Sequence, residues 1–150
     1  SQLGTFTPFN LSTTGQQIIA PFFGDVDTRS AGSPVTYGVG VVNGRPAIGV
    51  NWVNVDCYAS NTSRTVRNSF QLILTERTDA GANNFDIEFN YDQIQWQAGQ
   101  ASGGNSNCLG GSPARVGFSN GTNNPGTSFE LPGSGVDSAF LDSGPSVPCG

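Results

Sequence analysis

The sequence predicts an all-β protein: a twisted two-layer antiparallel β-sandwich with little or no α-helix. Apolar and polar residues alternate from Phe85 to Asp92, which is the period of a strand with one buried face. Turn-forming residues recur throughout the 150-residue chain, which contains 21 glycines and 9 prolines. No segment has the periodicity of an amphipathic helix of useful length. Many short strands separated by turns are typical of a sandwich or barrel.

The first part of the chain predicts an edge strand, a short apolar strand and a hairpin. These strands cover residues 3–9, 17–23, 35–42 and 47–55. Pro8 suits an edge strand because proline has no N–H to donate to a neighbouring strand. Asn43-Gly44 separates the last two strands and is the strongest short signal for a hairpin turn. We therefore expect an antiparallel pair on either side of this turn.

The strongest local signal is a second antiparallel pair, formed by residues 70–77 and 85–91. Its expected core residues occupy every second position and are Phe70, Leu72, Leu74, Phe85, Ile87 and Phe89. Asp86 and Glu88 alternate with them on the second strand. They fall on the opposite face, which we expect to be exposed to solvent.

The apolar pattern changes phase after Asp92. Ile94 and Trp96 are displaced by one residue from the preceding alternation, which predicts a bulge or kink near Asp92-Gln93. Residues 97–113 follow as a loop rich in Gly, Ser and Asn, and loops of this length are often functional. Three further short strands are predicted at residues 114–118, 127–131 and 139–141.

The composition is that of an extracellular β domain. The chain has no histidine and no lysine, and Asn, Gln, Ser and Thr supply most of its polarity. A net charge of −5 and a pI near 4.3 argue against a nucleic-acid or anionic-membrane partner, which would need a basic patch. No apolar run approaches the roughly 20 residues that span a bilayer, so we expect no membrane insertion. The length suggests a single domain over residues 1–150.

The absence of histidine and lysine also limits the kinds of catalytic and metal site that the chain could form. Without histidine, the chain cannot form a Ser-His-Asp triad, a Cys-His dyad or a histidine-ligated zinc site. Without lysine, it cannot form a Schiff base or a phosphate-loop lysine contact. Carboxylate chemistry, a cysteine thiolate or no chemistry at all remains.

The Asp25-Val26-Asp27 turn is the best candidate ion site. Two carboxylates one residue apart in a turn could both face a cation, and oxygen ligands favour calcium over zinc. Calcium is therefore the cofactor that the sequence permits, with Asp25 and Asp27 as candidate ligands. In the alternative interpretation, both carboxylates cap turn amides and pair with Arg29. Arg29 is itself a candidate binding residue.

The aromatic residues Trp52, Tyr58, Tyr91 and Trp96 suggest either a sugar-stacking platform or core aromatics with polar groups at the rim. Trp52 favours the core because it lies in a predicted central strand. Trp96 borders the long loop and is the stronger candidate for ligand binding. Asn105, within that loop, is a further candidate binding residue.

Asp86, Glu88 and Asp92 permit a third class of function, carboxylate-based glycoside hydrolysis. Carboxylates on the same face of a strand lie roughly 7 Å apart, between the separations of retaining and inverting glycosidases. The alternative is a solvated strand face with Arg77 or Arg115 opposite, which polar alternation alone would produce.

The three cysteines imply an oxidising compartment with one cysteine left over. Cys108 and Cys149 both lie in Gly- and Pro-rich segments that are easily joined, so we expect them to form a disulfide. Cys57 follows a strand and is expected to be an unpaired, buried thiol. No histidine is present to activate a cysteine as a nucleophile.

Six segments in order resemble the nidogen-type extracellular domain, NIDO. They are APFFGDVDTR at 20–29, GVNWVNV at 49–55, NSFQLIL at 68–74, FDIEFNYDQIQW at 85–96, ARVGF at 114–118 and FELPGS at 129–134. The chain departs from the family pattern at Gln97, where an acidic residue is expected, and at its cysteines. The resemblance implies an extracellular or cell-surface module for adhesion and matrix contact. It implies no established catalytic residues.

The preferred interpretation is a non-enzymatic adhesion or matrix-contact domain of a larger surface or secreted protein. Its expected partners are an extracellular protein or glycan and the neighbouring domains of the same chain. The alternative is a calcium- or glycan-dependent lectin-like domain that binds through the loops at 24–29 and 97–112. A glycoside hydrolase is the third hypothesis.

Overall fold

The computed structural model describes residues 4–29, 34–59 and 65–143, and it confirms the all-β class. Its strands are β1 (Gln17–Phe23), β2 (Val26–Asp27), β3 (Thr36–Val42), β4 (Arg45–Cys57), β5 (Asn68–Glu76), β6 (Phe85–Ile94), β7 (Arg115–Asn120) and β8 (Ser128–Glu130). A short 3-10 turn covers Gln100–Ser102. The described residues contain no α-helix, and hence no helix that could cross a membrane.

The strands form two antiparallel sheets that pack together, as the sequence predicts. The smaller sheet has three strands in the order β1-β7-β8. The larger sheet has five strands, in which β4 pairs with β5 and β5 with β6. The long strand β4 pairs with β3 along its first part and with β2 at its end.

The hairpin between β3 and β4 turns at Asn43-Gly44, as predicted. Both residues have positive φ, 49° and 80°, which is the backbone conformation of a type I′ turn. Glycine adopts this region without steric cost, and asparagine tolerates it better than most residues. The turn sets the register, in which Val42 is opposite Arg45.

The predicted bulge is also present in β6. Ser69 of β5 is opposite Gln93, whereas the next residue, Phe70, is opposite Tyr91. Asp92 is therefore the extra residue. The inserted position brings Ile94 and Trp96 back to the buried face, and both side chains lie in the core.

The main core lies between the two sheets. Phe22 of β1 packs edge-on against Trp96 and at a tilt against Phe70 of β5. Val55 and Val116, from opposite sheets, complete its centre. Each layer thus contributes the buried face of its strands, as in other sandwiches.

The predicted core of the β5–β6 pair is correct near Phe70 and wrong at Phe85. Phe70 and Leu72 are buried, and three neighbours (Leu74, Ile87 and Phe89) are partly buried. Phe85 is 49% exposed. It lies on the core-facing side of β6, where a cleft shared with Ile18 and Phe118 of the smaller sheet leaves it open to solvent. Asp86 and Glu88 are exposed on the other face, as expected.

Two predicted strands are absent. Residues 4–9 have no strand pairing, although Phe6 accepts a hydrogen bond from Ser102 Oγ at 3.1 Å. Residues 139–141 are buried but form turns. Phe140 and Leu141 close the core from a turn segment, which is tied to β6 by the 3.0 Å hydrogen bond from Asp142 N to Ile94 O. Their apolar character reflects burial and not strand pairing.

Candidate functional site

The two loops singled out by the sequence lie against each other. Gly99 approaches Asp25 so closely that a Cβ atom at position 99 would lie 2.7 Å from Asp25 Cβ. Only glycine permits this approach. Tyr58 joins the loops, because its N–H donates to Asp25 O at 2.7 Å and its carbonyl accepts from Gln100 N at 2.9 Å. We call residues 25–29, 58 and 99–100 the loop surface.

The disulfide of the structure joins Cys57 to Cys108, which corrects the expected Cys108–Cys149 pair. The two Cα atoms are 6.4 Å apart, and both side chains are buried. The carbonyl of Cys108 accepts hydrogen bonds from Gln97 N and Ala98 N, so the long loop folds back beside the end of β4. This proximity arises from chain segments far apart in sequence. Cys149 lies outside the described residues.

Asp27 adopts the turn-capping and ion-pairing arrangement. Its carboxylate accepts from Arg29 Nη2 at 2.6 Å and from the Arg29 backbone N–H at 2.9 Å. The hydrogen bonds from Arg29 hold the pKa of Asp27 below its ordinary value. The guanidinium also lies 4.9 Å from the centre of the Tyr58 ring, a cation–π contact. Arg29 is 61% exposed and remains open to a partner.

Asp25 differs from Asp27 because one of its carboxylate oxygens has no hydrogen-bond partner among residues 4–29, 34–59 and 65–143. Oδ2 is shielded from solvent and makes no hydrogen bond within the described residues. Burial raises the pKa of Asp25, and the negative charge of Asp27 adds to this effect. No cluster of three or more His, Cys, Asp or Glu side chains in the described residues could hold a metal ion. A calcium ion at Asp25 would therefore depend on backbone carbonyls and water for its other ligands.

The structure places Trp96 in the core, which corrects its expected role in ligand stacking. Its exposed fraction is 0%, and its indole N–H donates to Val55 O at 3.1 Å. Trp52 stacks on Phe70. Tyr91 is partly buried and donates its hydroxyl to Pro21 O at 2.5 Å. Of these aromatic residues, Tyr58 belongs to the loop surface.

Asn105 shapes the long loop. Its side-chain oxygen accepts from Asn107 N at 2.8 Å and from Leu109 N at 3.1 Å. Its carbonyl accepts from Cys108 N at 2.9 Å, so Asn105 organises the turn that carries the disulfide. The structure thus gives this exposed residue an architectural part in the loop.

Gln97, where the resemblance led us to expect an acidic residue, joins the loop to residues 137–138. Its amide donates to Asp137 Oδ1 at 2.5 Å, and its side-chain oxygen accepts from Ser138 N at 2.6 Å. A glutamine supplies both a donor and an acceptor here. Its buried side chain therefore links two segments that border the core.

The burial of Asp56 and Asn68 was not predicted from the sequence. Asp56 is nearly inaccessible and forms an ion pair with Arg67 at 3.2 Å. Asn68 is completely buried, and its side chain binds backbone groups of Gln95 and Trp96. The sequence feature that could have indicated this burial is a polar residue at the end of an apolar strand. Strand alternation alone does not distinguish such a residue from a solvated one.

The acidic face of β6 has the arrangement of a solvated strand. Arg77 donates to both oxygens of Asp86, at 3.0 and 2.9 Å. Glu88 accepts from Asn90 Nδ2 at 2.8 Å. Both carboxylates are exposed. Arg77 therefore lies beside Asp86, as expected for a solvated strand face. Asp86 and Glu88 both take part in surface hydrogen bonds of the sheet.

A second surface lies on the apolar side of the larger sheet, beyond the edge of the smaller sheet. On β3, Tyr37, Val39 and Val41 are 80%, 89% and 70% exposed. In the register of the sheet, they lie opposite Val50, Ile48 and Pro46 of β4. We call the exposed side chains of Tyr37, Val39, Val41, Ile48 and Phe85 the open face. Phe85 belongs to it because Ile48, Leu74 and Ile87 continue the same row across to β6.

Comparison with known proteins assigns the family. The profile of the nidogen-like domain matches residues 38–142. The alpha-tectorin of Gallus gallus is 42% identical over 86 residues, and those of Mus musculus and Homo sapiens are 40% identical over the same length. These matches cover 57% of this chain but only 4% of alpha-tectorin. No solved structure matches the chain significantly.

The matched region contains β4, β5, β6 and β7, and thus the strands that form most of the core. It also contains both cysteines of the disulfide. The match extends over more than half of the chain. The chain therefore belongs to the nidogen-like domain family of extracellular, matrix-type modules.

Proposed function

We propose that this chain is a non-enzymatic adhesion domain that contacts an extracellular protein or glycan through the loop surface. The observation that carries the proposal is the exposed Arg29–Tyr58 pair. Asp27 holds Arg29, and Tyr58 directly follows Cys57, whose disulfide with Cys108 joins the long loop to the end of β4. Arg and Tyr are enriched among the residues that dominate binding energy in interfaces. Loops fixed on a rigid scaffold lose little conformational entropy on binding.

The test is binding to an array of immobilised matrix glycoproteins and glycans. We expect at least one binder, and Arg29→Ala and Tyr58→Ala should each weaken its binding about tenfold or more. Arg45→Ala is the matched control, because Arg45 is also an exposed arginine paired with an aspartate, Asp79. Equal affinity for all variants, or loss with Arg45→Ala alone, would refute the loop surface as the contact site.

A calcium-dependent form of this activity is the second candidate, and the unpartnered Oδ2 of Asp25 favours it. A desolvated carboxylate oxygen gains most from a hard cation or from a proton. Excess calcium should raise the melting temperature of the wild type, and chelator should reverse the rise. Asp25→Asn should abolish the effect. A melting temperature unaffected by calcium would leave protonation as the remaining means of stabilising this group.

The proposal assigns no catalytic activity to the domain. Asp86 and Glu88 are exposed, and their carboxylates already accept hydrogen bonds from Arg77 and Asn90. Glycosidase turnover that disappears in Glu88→Gln would overturn this part of the proposal. We further propose that residues 1–150 act as one domain beside other domains of a longer protein. The small share of alpha-tectorin that the match covers supports this arrangement.

A further inference from the structure

We propose that β3 is an interaction edge and that a second copy of this chain occupies it. The two β3 strands would pair antiparallel about a two-fold axis through Val39. This inference goes beyond the proposed function, because it uses neither the loop surface nor a matrix ligand.

The outer edge of β3 is open in the part of the chain that the structure describes. Within the described residues, β3 pairs with β4 alone, so the backbone groups that point away from β4 have no strand partner. The strand is seven residues long, TYGVGVV, and contains no charged residue and no proline. An edge of this kind lacks the usual protection against pairing with another chain.

The opposite edge of the same sheet provides a comparison within the molecule. That edge is β6, which carries Asp86, Glu88 and Asp92. Charged residues and the bulge at Asp92 are devices that protect an edge strand from intermolecular pairing. The sheet is therefore protected at one edge and unprotected at the other, which indicates that β3 is the edge adapted for a partner.

The side chains of β3 are also open. Tyr37, Val39 and Val41 are exposed on the apolar side, as described above. On the other side, Gly38 and Gly40 have no atom within 4 Å of the position that a Cβ would take. Among the described residues, none therefore covers the side chains of β3 on either side of this edge.

The symmetry of an antiparallel strand pair favours a second copy as the occupant, and the uncharged edge keeps the electrostatic cost of that pairing low. Two molecules with a net charge of −5 repel each other, and this cost is least where the facing strands carry no charge. A two-fold axis at Val39 places Tyr37 opposite the partner's Val41, and the reverse contact occurs by symmetry. Aromatic and β-branched residues form favourable cross-strand pairs. The axis also joins the open faces of the two copies into one apolar strip.

The expected dimer is weak. One strand pair and its flanking side chains bury less than the roughly 800 Å² per partner of a standard interface. We therefore expect a concentration-dependent equilibrium, with a dissociation constant on the order of micromolar or weaker. Such an edge would allow the domain to associate when a longer protein holds many copies close together.

The test is sedimentation equilibrium of the wild type and two oppositely charged variants. Val39→Lys and Val39→Asp each place like charges opposite each other at the two-fold axis, so each variant alone should be monomeric. An equimolar mixture should associate again, because Lys and Asp then face each other. Restored association in the mixture cannot arise from misfolded variants.

Phe85→Lys is the control, because it adds the same charge to the open face away from the axis. It should leave the dimer intact, as should Arg29→Ala, which separates this test from that of the loop surface. A monomeric wild type throughout the accessible concentration range would overturn the proposal. So would unchanged association of Val39→Lys, or no association in the mixture.

Discussion

The side chain of Asn68 holds the backbone of Trp96 on both sides. Asn68 Oδ1 accepts from Trp96 N at 3.1 Å, and Asn68 Nδ2 donates to Trp96 O at 3.0 Å. Trp96 follows the end of β6, beyond the last strand pair between Asn68 and Ile94. The asparagine thus supplies the hydrogen bonds that a neighbouring strand would otherwise make. It satisfies backbone groups in a region from which water is excluded.

Asn68→Ala should lower the free energy of unfolding by about 3 kcal/mol. The substitution leaves buried backbone groups without partners, and each such group costs about 1–3 kcal/mol. Urea unfolding followed by tryptophan fluorescence would measure the loss. Asn90→Ala is the control, because Asn90 is exposed on β6, and its effect should stay within about 0.5 kcal/mol. Equal stability of the two variants would contradict this account of Asn68.

Peptide mapping of the non-reduced protein should find Cys57 linked to Cys108 and a thiol at Cys149. The pair is separated by 51 residues, and closing a loop of this size restricts the unfolded chain. The double substitution Cys57→Ala and Cys108→Ala should therefore cost about 4 kcal/mol by the chain-entropy relation. Cys149→Ala should leave stability unchanged. A mapped Cys108–Cys149 link would contradict the structure.

The two carboxylates of the Asp25–Asp27 turn should have opposite effects on pH stability. Burial raises the pKa of Asp25 above 3.8, so the folded state holds its proton more tightly than the unfolded state. Its contribution is complete below about pH 3.8 and is lost as pH rises through the raised pKa. Hydrogen bonds from Arg29 lower the pKa of Asp27, whose contribution is present above 3.8 and lost as pH falls.

At about pH 7, Asp25→Asn should raise the melting temperature and Asp27→Asn should lower it. Near pH 3, the difference of each variant from the wild type should shrink. Asp25 is then protonated in the folded state, and the stabilising contribution of Asp27 falls because the unfolded state binds a proton more readily at this residue. Thermal unfolding across this range measures both variants, and each serves as the control for the other. A rise or a fall common to both would contradict the assigned directions.

Phe70→Ala should destabilise the protein much more than Phe85→Ala, because Phe70 lies in the covered part of the larger sheet and Phe85 lies on the open face. Phe70 is buried against Phe22 and Trp52, so its truncation should cost about 3–5 kcal/mol. Phe85 lies on the same side of the sheet but is half-exposed, so its truncation should cost less than about 1 kcal/mol. Chemical denaturation measures both. Similar losses would show that the open face is covered in solution.

Features determined by neighbouring residues were predictable from the sequence. The turn at Asn43-Gly44 needs two residues that tolerate positive φ. Asn-Gly is the dipeptide that most favours this conformation, so the turn is recognisable from the sequence. The bulge at Asp92 follows from a change in the phase of the apolar residues. Both depend on backbone preferences and strand periodicity, which operate over a few residues. The all-β class rests on the same local signals.

Features determined by distant segments were decided by the tertiary structure. The pairing of Cys57 with Cys108 depends on how the long loop folds beside β4. Alternation assigns Phe85 and Phe70 to the same side of the sheet. Phe70 is buried because Phe22 of the smaller sheet packs on it, whereas Phe85 borders a cleft between the sheets and stays exposed.

The properties of the candidate site also fall into those set by adjacent residues and those set by distant segments. The sequence by itself determined the class of the fold, its turns and the polar chemistry of the Asp25–Arg29 turn. The tertiary structure decided that Arg29 pairs with Asp27, and that Trp96 belongs to the core. It also leaves an oxygen of Asp25 without a hydrogen bond from any described residue. The physical reason is that solvent exclusion and hydrogen-bond pairing depend on which distant segments meet, whereas turns and strand periods depend on adjacent residues.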